Sequence, residues 1–167
     1  MDAYGELVRR YQQDARRTAA VIAGVSVADD ATQEAFVRAH RNLASFRPGA
    51  PFRPWLLAVV ANVARNQRRS AGRWTRALQQ SGERGGRHVA VSAEDEMLTR
   101  QGSSAVRAAL DALPQRYRDV VACRYLLDLS EAETARVLGL ARGTVKSRLS
   151  RALDRLEGQL HHEVHDA

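Results

Sequence analysis

Residues 130–153, SEAETARVLGLARGTVKSRLSRAL, decide the fold of the C-terminal part of the chain. Ser130 and Glu133 have the spacing of a capping box, in which the serine accepts a hydrogen bond from an early helix amide and the glutamate accepts one from the serine N–H. The helix that begins there ends at Gly139, because glycine suits the left-handed conformation just past a helix end. Two short helices separated by GLAR, residues 139–142, predict a helix-turn-helix whose second helix is the recognition helix.

The recognition helix has one apolar stripe and one polar face. At about 100° per residue, the apolar side chains that share the stripe and must be buried are Val145, Leu149, Ala152, Leu153 and Leu156. The other side is small and polar in the middle and basic at its rims: Arg142, Gly143, Thr144, Lys146, Ser147, Arg148, Ser150, Arg151 and Arg155. Small polar side chains suit base edges in a major groove, and guanidinium groups suit the phosphates beside them. A solvated basic face is the alternative that this segment alone leaves open.

The helix before this pair begins at Pro114, a residue favoured in the first turn, and carries Val120, Val121 and Leu127 at helical spacing. A helical module is therefore expected over 104–160, with a tail at 161–167. Cys123 lies among those valines and is the only cysteine, so it is predicted to be a small buried hydrophobe. A single cysteine excludes an intrachain disulfide and a thiolate zinc cage and fits a reducing intracellular setting.

The N-terminal part of the chain predicts a second helical module, over residues 1–71. A helical pattern over 2–23 ends at Gly24, and Ser26 is predicted to cap the next helix. The buried stripe of that helix is predicted to hold Ala28, Ala31, Ala35, Phe36, Ala39 and Leu43. Its outer face carries Asp30, Gln33, Glu34, Val37, Arg38 and Arg41. Such a face is either simply solvated or, with a valine among its charges, a docking surface.

A third helix is predicted after a break rich in proline and glycine, over FRPWLLAVVANVARNQRRS, residues 52–70. Asn62, Arg65 and Arg69 fall on one side of it, next to the loop that bears Phe46 and Arg47. An amide and two guanidinium groups beside an aromatic ring are typical of a surface that binds single-stranded nucleic acid. The alternative is that Asn62 satisfies a backbone group and the arginines are solvated.

Charge and composition set the remaining expectations. Residues 1–76 hold 13 Arg or Lys against 6 Asp or Glu, whereas residues 105–167 hold 10 against 9, so polyanion binding is favoured in the N-terminal module and on the one basic helix of the other. Residues 72–103 are rich in glycine and serine without a sustained period, which predicts a flexible linker. The longest apolar run, WLLAVVA, has seven residues, too few for a membrane span, and the N-terminus lacks the apolar core of a signal peptide, so a cytoplasmic location is expected.

No catalytic constellation is found in the sequence. It has no Walker loop, no HExxH motif, and no serine or cysteine with a plausible base. HHEVH, residues 161–165, is the only candidate metal cluster, and a frayed helix end is the favoured interpretation. We therefore expect a binding protein without enzymatic activity, metal or cofactor.

Three stretches together resemble a bacterial RNA polymerase sigma factor of the extracytoplasmic-function (ECF) type. DDATQEAFVRAHRNLASFR is similar to the family's helix that binds core polymerase, and FRPWLLAVVANVARN is similar to its promoter-melting segment. LDALPQRYRDVVACRYLLDLSEAETARVLGLARGTVKSRLSRALDRL is similar to its domain that binds the −35 element. The resemblance implies an all-α protein with a region 2 domain, a linker and a region 4 domain.

The resemblance also implies a role for each surface. It implies that Gln33, Glu34, Val37, Arg38 and Arg41 dock on the clamp helices of the large polymerase subunit. The −10 element would be bound by Ser45, Phe46, Arg47, Asn62, Arg65 and Arg69, and the first four of these would lie where the family captures a base flipped from the non-template strand. Thr144, Lys146, Ser147, Ser150 and Arg151 would enter the −35 major groove, with Arg142, Arg148 and Arg155 on phosphates.

The implied partners are core polymerase, through its clamp helices and flap region, promoter DNA, and an inhibitory anti-sigma protein. The linker would pass through the polymerase cleft, although it is richer in glycine than the acidic linkers of the family. The alternative function is a stand-alone helix-turn-helix regulator that binds duplex DNA without polymerase. That alternative explains residues 104–160 and leaves WLLAVVANVARN without a role.

Overall fold

In the computed structural model, which describes residues 3–80 and 104–165, helices are the only regular elements within those ranges. They divide into two units, α1–α3 and α4–α7. The α-helices are α1 (Ala3–Ala23), α2 (Ala28–Arg41), α3 (Phe52–Gln80), α4 (Ser104–Ala112), α5 (Gln115–Tyr125), α6 (Glu131–Leu138) and α7 (Arg142–His165), with short 3-10 helices at Val25–Val27 and Leu43–Ser45. The predicted all-α fold with two helical parts is confirmed.

The first unit is a bundle in which α1, α2 and α3 each contact the other two. Alanines dominate its centre, and the fully buried ones are Ala15, Ala19, Ala28, Ala31, Ala35, Ala39, Ala61 and Ala64. Helix axes approach closely where the side chains between them are small, so this composition brings the three backbones near one another. The larger buried side chains, among them Ile22, Leu56 and Val60, fill the space that remains.

Polar side chains connect the helices of the first unit at its edges. The Arg53 side chain on α3 donates to Asp14 on α1 at 2.6 Å, and both groups are about two-thirds buried. Arg68, also on α3, donates to the carbonyl oxygen of Ile22. That carbonyl lies in the last turn of α1, where backbone acceptors have no partner within the helix. Arg68 therefore stabilises the end of α1 and holds it against α3.

The second unit is built around Leu113, Tyr117, Val121 and Ala152, with Leu110, Leu149 and Leu156 packed at its edge. The predicted capping box is confirmed: the Glu133 N–H donates to Ser130 Oγ at 3.2 Å, and the Ser130 N–H donates to Glu133 Oε2 at 2.8 Å. Gly139 has a φ of 66°, as predicted for the residue that ends α6. Cys123 is fully buried, as predicted.

Three predictions about local structure are wrong. Ser26 does not cap α2, because it lies inside the 3-10 turn at 25–27 and Val27 takes the N-cap position without a side-chain hydrogen bond. Leu43 is 37% exposed because α2 ends at Arg41 and the chain turns away from the bundle. Leu153 is 40% exposed because its neighbour Ala152 takes the fully buried position on α7.

Two helices also continue past their predicted ends. The third helix extends to Gln80, beyond residue 71, because the segment contains no proline and is rich in good helix formers. The rest of the predicted linker lies outside the described residues. The last helix extends to His165, so residues 161–165 of the predicted tail are helical.

The capping box gives a prediction about the stability of the second unit. Replacing Ser130→Ala removes an N-cap hydrogen bond and should lower the free energy of unfolding by about 1 kcal/mol. Because Cys123 is the only thiol and is fully buried in this unit, its labelling by a thiol reagent along a urea gradient measures the loss.

Ser150→Ala is the matched control. Ser150 is exposed in the interior of α7, where alanine has the higher helix propensity, so this variant should show no loss of stability. Equal labelling curves for Ser130→Ala and the unsubstituted chain would contradict a stabilising role for the capping box.

Candidate functional site

The exposed face of α7 carries the basic residues singled out in the sequence. Arg142, Lys146 and Arg151 are exposed, whereas Val145 and Ala152 on the opposite side are fully buried. Ser147 and Ser150 are also exposed, and Thr144 and Arg148 are partly buried. Within the part of the chain that the structure describes, none of these cations forms an ion pair. The face is therefore a surface of uncompensated positive charge with small hydroxyl groups between the guanidiniums.

Arg155 differs from the other cations of α7 because it lies against an aromatic ring. Its Cζ atom is 5.2 Å from the centroid of the Tyr117 ring, which belongs to the buried cluster of the second unit. The Arg116 Cζ atom lies 4.9 Å from the same centroid. Sequence reasoning did not find Arg116 or Tyr117, since neither lies in the recognition helix and only the packing of α5 on α7 brings them beside it.

Four aromatic rings meet at the start of α3. Phe46 lies edge-on to Phe52 at 5.5 Å and to Trp55 at 5.3 Å, and Tyr11 of α1 lies 5.5 Å from Phe52, all between ring centroids. Edge-on contacts of this kind are stabilising and hold the ring that makes them. Phe46 is therefore partly buried and anchors its loop to α3. Its neighbours Ser45 and Arg47 are exposed.

Asn62 lies on the same side of α3 as Trp55. The two residues are seven apart, so they share a face and are separated by about 10 Å along the helix axis. Asn62 is exposed, and its side-chain oxygen accepts a hydrogen bond from Arg65 at 3.2 Å rather than satisfying a backbone group. Arg69, another seven residues along, is exposed too. Along one edge of α3 the structure thus aligns Phe46, which anchors the loop, with Asn62, Arg65 and Arg69.

The outer face of α2 is exposed, and one of its acidic residues, Glu34, is bound by a side chain of α3. Gln33, Arg38 and Arg41 are exposed, and Val37 is 50% exposed. Glu34 is partly buried and binds two groups: its Oε1 accepts from Arg38 at 2.5 Å, and its Oε2 accepts from Gln67 of α3 at 3.0 Å. Gln67 was missed in the sequence, although a polar residue on the inward stripe one turn after Val63 is a signal of a buried partner.

The described residues hold no group of three or more side chains that could bind a metal ion. Of the segment HHEVH, only the side chain of His161 is described, and its Nε2 lies 3.7 Å from Glu157. The side chains of the later residues of that segment lie outside the described part. No helix of the described residues is long and apolar enough to cross a membrane.

Comparison with known proteins finds two family models that match in order along the chain. Sigma-70 region 2 matches residues 7–74, and Sigma-70 region 4 matches residues 103–156. ECF RNA polymerase sigma factor SigM of Mycobacterium tuberculosis is 35% identical over 156 residues, which cover 92% of this chain and 75% of that protein.

Two solved structures share the fold. One is the sigma factor RpoE in complex with the anti-sigma factor NepR from Bartonella quintana, with a TM-score of 0.75 at 24% identity over 96% of this chain and 98% of that chain. The other is CnrH in complex with the cytosolic domain of CnrY, with a TM-score of 0.67 at 27% identity over 96% of this chain and 88% of that chain. With two sigma-70 regions in order and a relative matched over most of its length, the chain belongs to the family of ECF RNA polymerase sigma factors.

Proposed function

We propose that this protein binds core RNA polymerase, directs it to promoters with −35 and −10 elements, and helps to open the DNA at the −10 element. The observation that carries the proposal is that one chain holds two surfaces suited to nucleic acid, the α7 face and the α3 edge, within two sigma-70 regions. A stand-alone helix-turn-helix regulator would use only the first of these surfaces. Family membership and the exposed polar edge of α3 both favour the initiation factor.

The proposed activity consists of binding steps. Duplex recognition positions the polymerase, and capture of an unpaired base shifts the equilibrium between closed and open DNA toward the open form. The protein therefore needs no catalytic residue of its own, and the nucleotide chemistry belongs to the polymerase. It acts where the polymerase and the chromosome are, in the cytoplasm.

In the second unit, the small polar residues of the α7 face contact base edges and its rim arginines contact phosphates. Arg151 is the best candidate for a contact with a DNA base, because a guanidinium can bind two acceptors of guanine in the major groove. Thr144, Lys146, Ser147 and Ser150 lie on the same face and share that groove. Arg142, Arg148 and Arg155 bind the backbone on either side.

In the first unit, the edge of α3 and the loop before it receive the opened −10 strand. Asn62 pairs with Arg65 through its oxygen, which leaves its amide N–H groups for the acceptors of an unpaired base. Arg65 and Arg69 attract the phosphates of the same strand, and Ser45 and Arg47 flank the base from the loop. Phe46 supports this site from below, because its ring is already packed on Phe52 and Trp55.

The outer face of α2 docks on the clamp helices of the large polymerase subunit. Val37 supplies apolar contact area, and Gln33, Arg38 and Arg41 surround it with hydrogen-bonding groups. Glu34 restrains the Arg38 guanidinium, because Gln67 of α3 holds the carboxylate that accepts from it. A long side chain that is already ordered loses less conformational entropy when it binds a partner.

The flap region of the polymerase and an anti-sigma protein are the remaining proposed partners. The linker passes through the polymerase cleft and lets the second unit reach the flap region. An anti-sigma protein is the proposed inhibitor, supported by the complexes in which two proteins of this fold are found.

A run-off transcription assay with purified core polymerase tests the proposed function. Transcripts that begin at a promoter should appear only when this protein is added, and they should disappear when either promoter element is scrambled. If the protein shifts duplex promoter DNA by itself with the same sequence preference and gives no transcript with core polymerase, it is the stand-alone regulator.

Replacing Arg151→Ala should reduce discrimination between the preferred −35 sequence and a mismatched one by roughly 1–3 kcal/mol, since a base-reading guanidinium is lost. Binding of the holoenzyme to the two fragments measures this difference. Arg136→Ala removes the same charge from the exposed side of α6 and should leave the ratio unchanged. An equal loss on both sequences would make Arg151 a phosphate contact.

Replacing Asn62→Ala should slow open-complex formation while leaving recruitment to the −35 element intact, because only unpaired DNA contacts this residue. Loss of one base contact should cost about 1–3 kcal/mol. Fluorescence of 2-aminopurine in the −10 element measures opening. Gln13→Ala, an exposed amide on α1, is the control and should open DNA normally. An equal defect in closed-complex binding would show that Asn62 does not act on the separated strand.

Replacing Arg38→Gln should weaken binding to core polymerase about tenfold, or about 1.4 kcal/mol, because it removes an ordered charge from the docking face. The unfolding free energy should change by less than about 1 kcal/mol, since an ion pair whose side chains are 47% and 39% exposed contributes little. Competition for core polymerase against a labelled sigma factor measures the affinity. Arg17→Gln on the exposed side of α1 is the matched control, and an equal effect of the two changes would contradict the assignment.

A further inference from the structure

A buried tyrosine in the second unit is surrounded by arginines. Only 5% of Tyr117 is exposed, and its ring packs with Leu113, Val121 and Ala152. Two guanidinium groups lie over that ring, Arg116 from the same helix and Arg155 from α7, at 4.9 and 5.2 Å from Cζ to the ring centroid. Distances of this size are typical of cation–π contacts. Both Cζ atoms lie near the same ring centroid, so they are no more than about 10 Å apart although they come from different helices.

The positive charge at this place is not neutralised within the described residues. A hydrogen bond from Arg116 lowers the pKa of the Tyr117 hydroxyl, and the charges of Arg116, Arg155 and Arg151 lower it further. None of these arginines forms an ion pair with a described carboxylate.

The carboxylates on the same two helices whose side chains the structure describes are occupied elsewhere or unpaired. Asp119 accepts from Gln115 at 2.6 Å, and Glu157 faces His161. Asp154, next to Arg155, is exposed and makes no ion pair within the described part of the chain. Two guanidinium groups within about 10 Å of each other repel where no carboxylate neutralises them, and a bound anion reduces that repulsion.

We propose that Arg116, Tyr117 and Arg155 form a binding site for a phosphate of the DNA backbone, adjoining the recognition helix. Two arginines present N–H groups in a planar fork that matches phosphate oxygens. Tyr117 is a positioning residue, because stacking on its ring keeps both forks in place before DNA arrives. Arg155 lies one helical turn after Arg151, so the site continues the face that contacts the −35 element.

The site has a structural consequence for the docking of the recognition helix. Arg116 belongs to α5 and Arg155 to α7, so one phosphate bound by both is fixed relative to two helices. Phosphate contacts carry no sequence information and set the register and orientation of a protein on the duplex. The site therefore sets the angle at which α7 enters the major groove. This inference rests on the proposed function, since the −35 duplex supplies the phosphate.

The test measures the affinity of the holoenzyme for a promoter fragment at several salt concentrations. With Arg116→Gln, the slope of log affinity against log salt should become shallower by about 1, and the affinity at 0.15 M salt should fall about fivefold. The loss should be the same for the preferred and the mismatched −35 sequence. Arg10→Gln is the matched control, because the Arg10 Cζ atom lies 5.7 Å from the Tyr11 ring in the first unit and the same charge is removed.

Two substitutions at Tyr117 separate positioning from folding. Tyr117→Phe keeps the ring under both guanidiniums and removes only the hydroxyl that accepts from Arg116, so it should retain most of the wild-type affinity. Tyr117→Leu keeps an apolar side chain but removes the stacking surface, so it should lower the affinity while Cys123 stays protected from a thiol reagent. If the phenylalanine variant loses as much affinity as the leucine variant, stacking does not position the arginines and the proposal is wrong.

The outcomes distinguish this site from the proposed function. If the wild-type holoenzyme binds the promoter and Arg116→Gln binds it with unchanged affinity and salt slope, the phosphate site is excluded and the initiation function stands. A change of preference between −35 sequences in that variant also excludes it, because it indicates a base contact. If the wild-type protein confers no promoter binding on core polymerase, both proposals fail.

Discussion

The full burial of Val145 and Ala152 determines what α7 presents to the outside. A helix turns by about 100° per residue, so once these two side chains enter the core, the direction of every other side chain on the helix follows. The small hydroxyl residues and most of the arginines then lie outside, and none of these arginines forms an ion pair with a described residue. Helix α6 begins at the capping box of Ser130 and ends at the left-handed Gly139, so the turn between α6 and α7 is short. Burial on one side of the helix is thus the physical cause of the basic surface on the other.

In the first unit, too, the packing of the core determines which side chains face outward, but there the buried side chains are mostly small. Its centre is lined with alanines, which lets α2 and α3 pack closely. The Gln67 side chain on α3 binds Glu34 on α2, which connects the proposed polymerase-docking face to the helix proposed to receive the opened strand. The aromatic cluster at the start of α3 anchors the loop that is proposed to flank the same strand. Two interfaces of one small bundle therefore share a rigid support.

Much of this architecture follows from the sequence because local chemistry determines it. The capping box, the helix-ending glycines and the alanine stripe are signals within a few residues, and the structure agrees with each of them. Ser26 was misassigned because a 3-10 turn competes with an N-cap over the same few residues, and periodicity cannot separate the two. The roles of Gln67, Tyr117 and Arg116 were missed because their partners are distant in the chain and meet only when helices pack. Phe46 stays a predicted residue of the −10 site, and the contacts of its ring with Phe52 and Trp55 appear only when the chain folds.

The central claim is that one surface acts on duplex DNA and the other on separated strands. Transcription from a promoter with a mismatched, already open −10 region tests it most directly, with holoenzymes that carry Asn62→Ala or Arg151→Ala. Pre-opening should restore activity to the Asn62 variant, because the strand no longer has to be captured from a duplex. It should not restore activity to the Arg151 variant, whose contact lies at the −35 element. Equal restoration of both variants, or of neither, would contradict the division of work between the two units.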